Sequence, residues 1–162
     1  MNAFEKEVYE RLKEHYKLPE WIVLPQVNVH TGAIDVYGGA RFIDFFVLNA
    51  YPSKNYSCLA IEAKRTIQDF RNDVKQPLKQ LAAKFYSDRF YYIMPEEMFE
   101  KHRTEIIQIR IQDKGTGILV LQENGYIKEM IRSAQREKSP FPMGFICSLL
   151  RNAVTQNADR AI

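Results

Sequence analysis

The sequence predicts an α/β fold, a mixed β-sheet flanked by helices in a single domain that spans residues 1–162. Three observations lead there. Two apolar runs of strand type, RFIDFFVL at 41–48 and CLAIEAK at 58–64, are separated by a polar loop. A helical pattern at 66–85 divides the second run from a third, RFYYIM at 89–94, the arrangement of a crossover between parallel strands. Amphipathic segments near both termini supply helices to cover the sheet.

Phe4, Val8, Leu12 and Tyr16 recur every fourth residue, so 4–16 is expected to be an amphipathic helix with Asn2 as its cap, ended by Leu18 and Pro19. Residues 21–29 read as a strand that Pro25 either sends to a sheet edge or interrupts. Gly32, Gly38 and Gly39 mark turns around 33–37, a segment with no assignable element. The strands 41–48 and 56–64 are expected to form an antiparallel hairpin.

From Thr66, Ile67, Phe70, Val74, Leu78, Leu81 and Phe85 follow at helical spacing, with Thr66 and Asp69 as a capping pair and Pro77 expected to kink or break the helix near Lys75 and Gln76. After the strand 89–94 comes a helix over 95–107. A hairpin over 117–130 then turns at Asn124-Gly125. The core is expected over 2–135, with a C-terminal helical extension at 143–157 and frayed last residues.

Composition narrows the class. At 162 residues the chain suits one domain that buries roughly two-thirds of its unfolded surface. Its 46% hydrophobic and 27% charged residues are ordinary for a globular protein. No run reaches the roughly eighteen apolar residues of a membrane span, and the start MNAFEKE lacks the apolar centre of a signal peptide, so a soluble cytoplasmic protein with no membrane partner is expected. Cys58 and Cys147 form no CxxC pair and read as reduced structural thiols. His15, His30 and His102 have no second histidine at ligand spacing. No GxSxG, GxxxxGKS or GxGxxG motif is present.

The net charge of +3 says little about a partner, but its distribution says more. Residues 64–89 carry seven basic and three acidic groups, a local net of +4, so the rest of the chain sums to −1. That excess begins at the most informative stretch. In a strand, side chains two apart share a face, so Glu62 and Lys64 project side by side, and an adjacent strand can bring Asp44 beside them. Burying such charges costs several kcal/mol per ion unless they are paired or coordinate something. Two carboxylates suit Mg²⁺ or Mn²⁺, hard cations that keep waters and hold phosphate oxygens, and the lysine suits phosphodiester hydrolysis. The second acid-x-Lys triplet, Asp73-Val74-Lys75, lies in a helical pattern where positions two apart diverge, so it is not expected to converge on one ion.

Glu5 on a first helix, Asp44 on a strand, Glu62-Ala63-Lys64 on the next and a helix after it resemble the PD-(D/E)XK nuclease superfamily, whose fold is restriction-endonuclease-like. The stretches IEAKRTIQDFRNDVK at 61–75, RFYYIMPEEM at 89–98 and GTGILVL at 115–121 resemble more narrowly the MmcB-like branch of DNA-repair nucleases, which includes phage members. The likeness covers about residues 40–135. Ile43 stands where the motif name has proline, and Pro77 interrupts a helix that many relatives continue.

The resemblance implies a metal-dependent DNA endonuclease acting in repair, recombination or phage DNA metabolism. It makes Asp44 and Glu62 ligands of Mg²⁺ (or Mn²⁺), with the Ala63 carbonyl as a third and Glu5 joining through water, Glu7 being a rival for that place. Lys64 would position or deprotonate the attacking water. Arg65, Lys75, Lys79, Gln80 and Lys84 become candidate nucleic-acid contacts, while Tyr51 and Tyr56 are the aromatics to watch for base contacts. DNA is the expected partner, and a homodimer would pair two sites for double-strand cleavage. The rival reading is a nucleic-acid-binding or scaffolding protein that keeps the fold without turnover, and the intact Asp44, Glu62 and Lys64 favour the enzyme.

Overall fold

The computed structural model describes residues 1–29 and 42–158. The expected turns at Gly32, Gly38 and Gly39, the segment 33–37, His30, Arg41 and the chain end from 159 lie outside them.

One six-stranded mixed sheet organises the described residues, its strands lying side by side in chain order. The first helix, α1 (Ala3–His15), buries Phe4, Val8, Tyr9 and Leu12 on one face of the sheet. Strands β1 (Trp21–Asn28), β2 (Phe42–Asn49) and β3 (Cys58–Ala63) pair antiparallel in succession, β2 and β3 forming the hairpin that the spacing predicts. The crossover then passes through α2 (Ile67–Val74), a 3-10 turn at Pro77–Gln80 and α3 (Leu81–Phe85) to β4 (Arg89–Pro95), which pairs parallel to β3. Pro77 therefore breaks the helix rather than kinking it: it lacks the N–H that a continuing helix needs, and it sits at the start of the 3-10 turn.

The segment 95–107 becomes two helices, α4 (Glu96–Lys101) and α5 (Arg103–Gln112), which meet at His102. The hairpin of β5 (Gly117–Leu121) and β6 (Ile127–Ile131) turns where expected. Gly125 takes the positive φ of +82° that its turn requires, and the Asn124 side chain accepts from the Tyr126 N–H.

Two apolar layers follow from strand alternation. Leu59, Ile61, Tyr91 and Ile93 face α1, while Cys58, Ala60, Phe90, Tyr92 and Met94 face the helices of the other side. Helix α6 (Met143–Ala158) belongs to that second layer, burying Phe145 and Leu149 among Phe46, Tyr86 and Phe141. It also closes the sheet. Pro25 lies in edge strand β1, and α6 donates from Ser148 Oγ to the Asn28 carbonyl (2.7 Å) and from Asn152 Nδ2 to the Pro25 carbonyl (2.5 Å). The terminal helix is thus part of the core and not an appendage to 2–135, since an open strand edge invites pairing with other chains. No described helix is long and apolar enough to cross a membrane.

Candidate active site

The β2–β3 ladder records Phe45 opposite Ile61 as its last pair, and one step beyond, continuing that register, Asp44 meets Glu62. Here β1 and Asp44's own strand β2 lose their alternation. Gln26 of β1 adopts φ +50°, and Leu24 with Val27, like Phe46 with Ile43, face the same layer although three residues apart. Asp44 is turned towards β3 at this break. Its Oδ2 accepts from the Ala63 N–H at 2.9 Å, and Gln26 Nε2 makes a long 3.5 Å contact with Oδ1. The Lys64 N–H is donated to the Ile93 carbonyl of β4 at 2.9 Å. Across the trans peptide the Ala63 carbonyl must therefore point the opposite way, towards Asp44's strand, and among the described residues no strand pairing uses it there.

Glu62 and Lys64 lie on the same face, as the strand period requires. Asp44 and Glu62 are neighbours at this step, two like-charged side chains in one partly buried place. Burial raises both pKa values, and Asp44 beside it pushes Glu62 well above the usual carboxylate range. Lys64 Nζ stands 3.5 Å from Glu62 Oε2 and 3.4 Å from Asp73 Oδ1. Burial alone would lower its pKa, but Glu62, Asp73 and Asp44 outweigh that and raise it, so Lys64 is an ammonium.

These groups open into a cleft of about 620 Å³, lined also by Asn2, Glu5, Arg65, Asn72 and Lys79. Of the two candidate glutamates on the first helix, Glu5 faces it, where its charge adds to the raised pKa of Asp44. Glu5 also completes a capping box, accepting from the Asn2 backbone and side chain at 2.9 Å each. Glu7 lines a different groove, with Glu96, Glu97 and Glu100.

The candidate nucleic-acid contacts divide. Arg65 and Lys79 line the cleft from exposed positions. Gln80 is buried and spends its amide on Asp73. Lys75 is exposed but outside the cleft lining, and Lys84 is drawn away to Asp113 at 3.0 Å, over the Phe90 ring. Tyr51 and Tyr56 sit at the opposite end of the β2–β3 hairpin from Asp44.

Comparison with protein-family models, with curated proteins and with solved structures found no match.

Sequence reasoning missed two groups that the fold brings in, Asp73 and Tyr92. Asp73 is only 4% exposed. Its Oδ2 accepts from Gln80 Nε2 (2.7 Å) and Tyr92 Oη (2.9 Å), while its Oδ1 faces Lys64 (3.4 Å) and Lys79 (3.3 Å). Burial would raise its pKa, yet Lys64, the Tyr92 hydroxyl and Lys79 hold it below the ordinary value. The available signal was position: Asp73 follows Phe70 by three residues, on the helix's buried stripe.

Among the described residues no three histidine, cysteine or carboxylate side chains converge as a complete ligand set. What is present is two neighbouring carboxyl groups and a backbone carbonyl turned towards Asp44's strand. That donor set fits a hard cation that retains several waters, such as Mg²⁺ or Mn²⁺, better than one needing an all-protein cage.

Proposed function

We propose that the protein is a divalent-metal-dependent DNA endonuclease of the PD-(D/E)XK type, with the restriction-endonuclease-like fold, that hydrolyses phosphodiester bonds. The observation that carries this reading is the pair of neighbouring, partly buried carboxyls of Asp44 and Glu62 with the Lys64 ammonium 3.5 Å from the second. Two acids forced together at the end of a ladder destabilise the fold when both are charged, and a cation is the natural relief.

Asp44, Glu62 and the Ala63 carbonyl would hold Mg²⁺ or Mn²⁺, with Glu5, which lines the same cleft, joining through water. The bound cation would supply Lewis acidity towards a phosphoryl oxygen and make water easier to ionise. Lys64 enters as a donor. An ammonium has no free electron pair, so it orients water and offsets charge on the phosphate rather than removing a proton. Arg65 and Lys79 at the rim offer charge to the flanking phosphates. The sheet order also supports the family reading: a helix, three antiparallel strands and a helical crossover to a parallel fourth strand set the two acids and the lysine on neighbouring strands.

The test is incubation of the purified protein with plasmid, single-stranded and branched DNA in Mg²⁺, Mn²⁺ or EDTA. Metal-dependent cutting supports the enzyme, and DNA binding without cutting in any metal supports the non-catalytic reading instead.

A further inference from the structure

Lys64 does not rest on the proposed metal ligand alone. Its ammonium lies between Glu62 Oε2 at 3.5 Å and Asp73 Oδ1 at 3.4 Å, so two carboxylates from different elements hold one cation. Their surroundings differ. Asp73 is anchored through its other oxygen by two uncharged donors, Gln80 Nε2 at 2.7 Å and Tyr92 Oη at 2.9 Å. Gln80 donates as well to the Asp73 backbone carbonyl at 3.2 Å, which ties the 3-10 turn to the end of α2. An oxygen held by two donors leaves little freedom to rotate, so Asp73 Oδ1 is a fixed acceptor aimed at Lys64.

We propose that Asp73 is the positioning residue of the site, keeping the Lys64 ammonium over the cleft while Glu62 is occupied with a cation. This rests on the nuclease reading above and adds to it a residue outside the Asp44, Glu62, Lys64 set. The reasoning is competition. A divalent ion and an ammonium both seek the oxygens of Glu62, and the divalent ion attracts them more strongly. Once Glu62 turns to the metal, Lys64 would be free to leave the reacting phosphate unless another carboxylate retains it. Asp73 does so, and its two neutral anchors keep it from following either charge. Lys79 reaches the same oxygen from the solvent side, at 3.3 Å and half-exposed, so it can exchange Asp73 for a phosphate without disturbing the anchored oxygen.

Asp73→Asn tests this because it preserves shape. The amide oxygen can still accept from Gln80 and Tyr92, which turns the NH₂ group towards Lys64 and replaces attraction by donor-donor repulsion. The expected result is a fall in kcat of about 100-fold, the loss typical of a misplaced catalytic group. KM for DNA and the Mn²⁺ affinity should stay within about threefold of wild type, and the Mn²⁺ stoichiometry should be undiminished, which a partly unfolded sample would not give. Tyr92→Phe, which removes one anchor and keeps the charge, should lower kcat in the same sense but by less.

A readout independent of turnover is the ¹H–¹⁵Nζ signal of Lys64, assigned with Lys64→Arg. It should be protected from exchange in wild type and in Glu62→Gln, and lost in Asp73→Asn. Wild-type kcat in Asp73→Asn would overturn the proposal, and so would loss of Mn²⁺ binding in that variant, which would make Asp73 a ligand. If the wild type cuts no DNA, the nuclease reading fails, and the Lys64 signal still decides whether Asp73 positions the lysine: unchanged in Asp73→Asn, it overturns the inference.

Discussion

Asp44 and Glu62 are neighbours one step past the Phe45–Ile61 pair of their strands, and burial raises the pKa of both carboxyls. Two acids side by side in a partly buried place repel when both are charged, so without a cation the site disfavours full ionisation.

Stability should therefore depend on pH in a defined direction. The folded-state pKa of Glu62 lies above its unfolded value, so its contribution is fully present below the ordinary glutamate range and is lost as pH rises through the raised pKa. Glu62→Gln keeps a hydrogen-bonding group without the charge. Its melting temperature in EDTA should exceed that of wild type, with a gap that widens between pH 5 and pH 8. A gain of about 1 kcal/mol would read as roughly 2–4 °C. A gap that narrows with pH would mean that the pair is not strained.

Because both carboxyl pKa values are raised, metal binding should release protons. Mn²⁺ titrated calorimetrically into wild type in two buffers of different ionisation enthalpy should show proton release and tighter binding at pH 8 than at pH 6. Asp44→Asn and Glu62→Gln should each weaken binding at least about tenfold, the lower end of what loss of groups around a metal costs. Undiminished binding in both variants would place the cation elsewhere.

How far the site was legible depended on whether its causes were local. Glu62 and Lys64 side by side follow from a period of two, and that held because the strand period is fixed by the backbone. Asp44 could be placed on a neighbouring strand but not aimed, because its orientation rests on Gln26 at φ +50°, a conformation that no glycine or asparagine announces. Asp73 was set aside for the wrong comparison. It does diverge from Lys75, but its partner is Lys64, reached through the packing of α2 on β3 and β4.

Pro77 was rightly a break, yet only the fold reveals that the resulting turn points Gln80 inward. The basic excess of 64–89 was correct as composition and misleading as a surface. Arg71 is held by Glu105 at 2.5 Å and Lys84 by Asp113 at 3.0 Å, acids more distant in the chain. Pro25 did mark the edge strand, but that α6 would seal it needed the tertiary arrangement.

Phosphate contacts should accordingly come from the cleft rim. Arg65→Ala and Lys79→Ala should each reduce the slope of log K against log[salt] by roughly 0.9 on duplex DNA. They should weaken all sequences alike, since phosphate contacts position a duplex without reading it. Lys84→Ala should leave the slope unchanged, because its ammonium already serves Asp113. An equal effect of Lys84→Ala would show that the DNA path runs along α3 instead.

Helix α6 should behave as core. Phe145→Ala, which removes a fully buried ring stacked on Tyr86, should cost about 3–5 kcal/mol in denaturant unfolding. Asn152→Ala should cost less, about 1 kcal/mol for one hydrogen bond to the edge strand. A neutral Phe145→Ala would make the helix a peripheral element.

The most direct test of the central claim is the initial rate of supercoiled-plasmid cleavage in saturating Mn²⁺ by wild type, Glu62→Gln and Lys64→Ala, with Mn²⁺ binding measured on the same samples. Wild type should cut and stop on adding EDTA. Both variants should be slower by at least about 100-fold, with Lys64→Ala keeping its metal and Glu62→Gln losing it. A wild type that cuts nothing in any divalent metal, or a Lys64→Ala variant that cuts as fast as wild type, would contradict the assignment of hydrolysis to Asp44, Glu62 and Lys64.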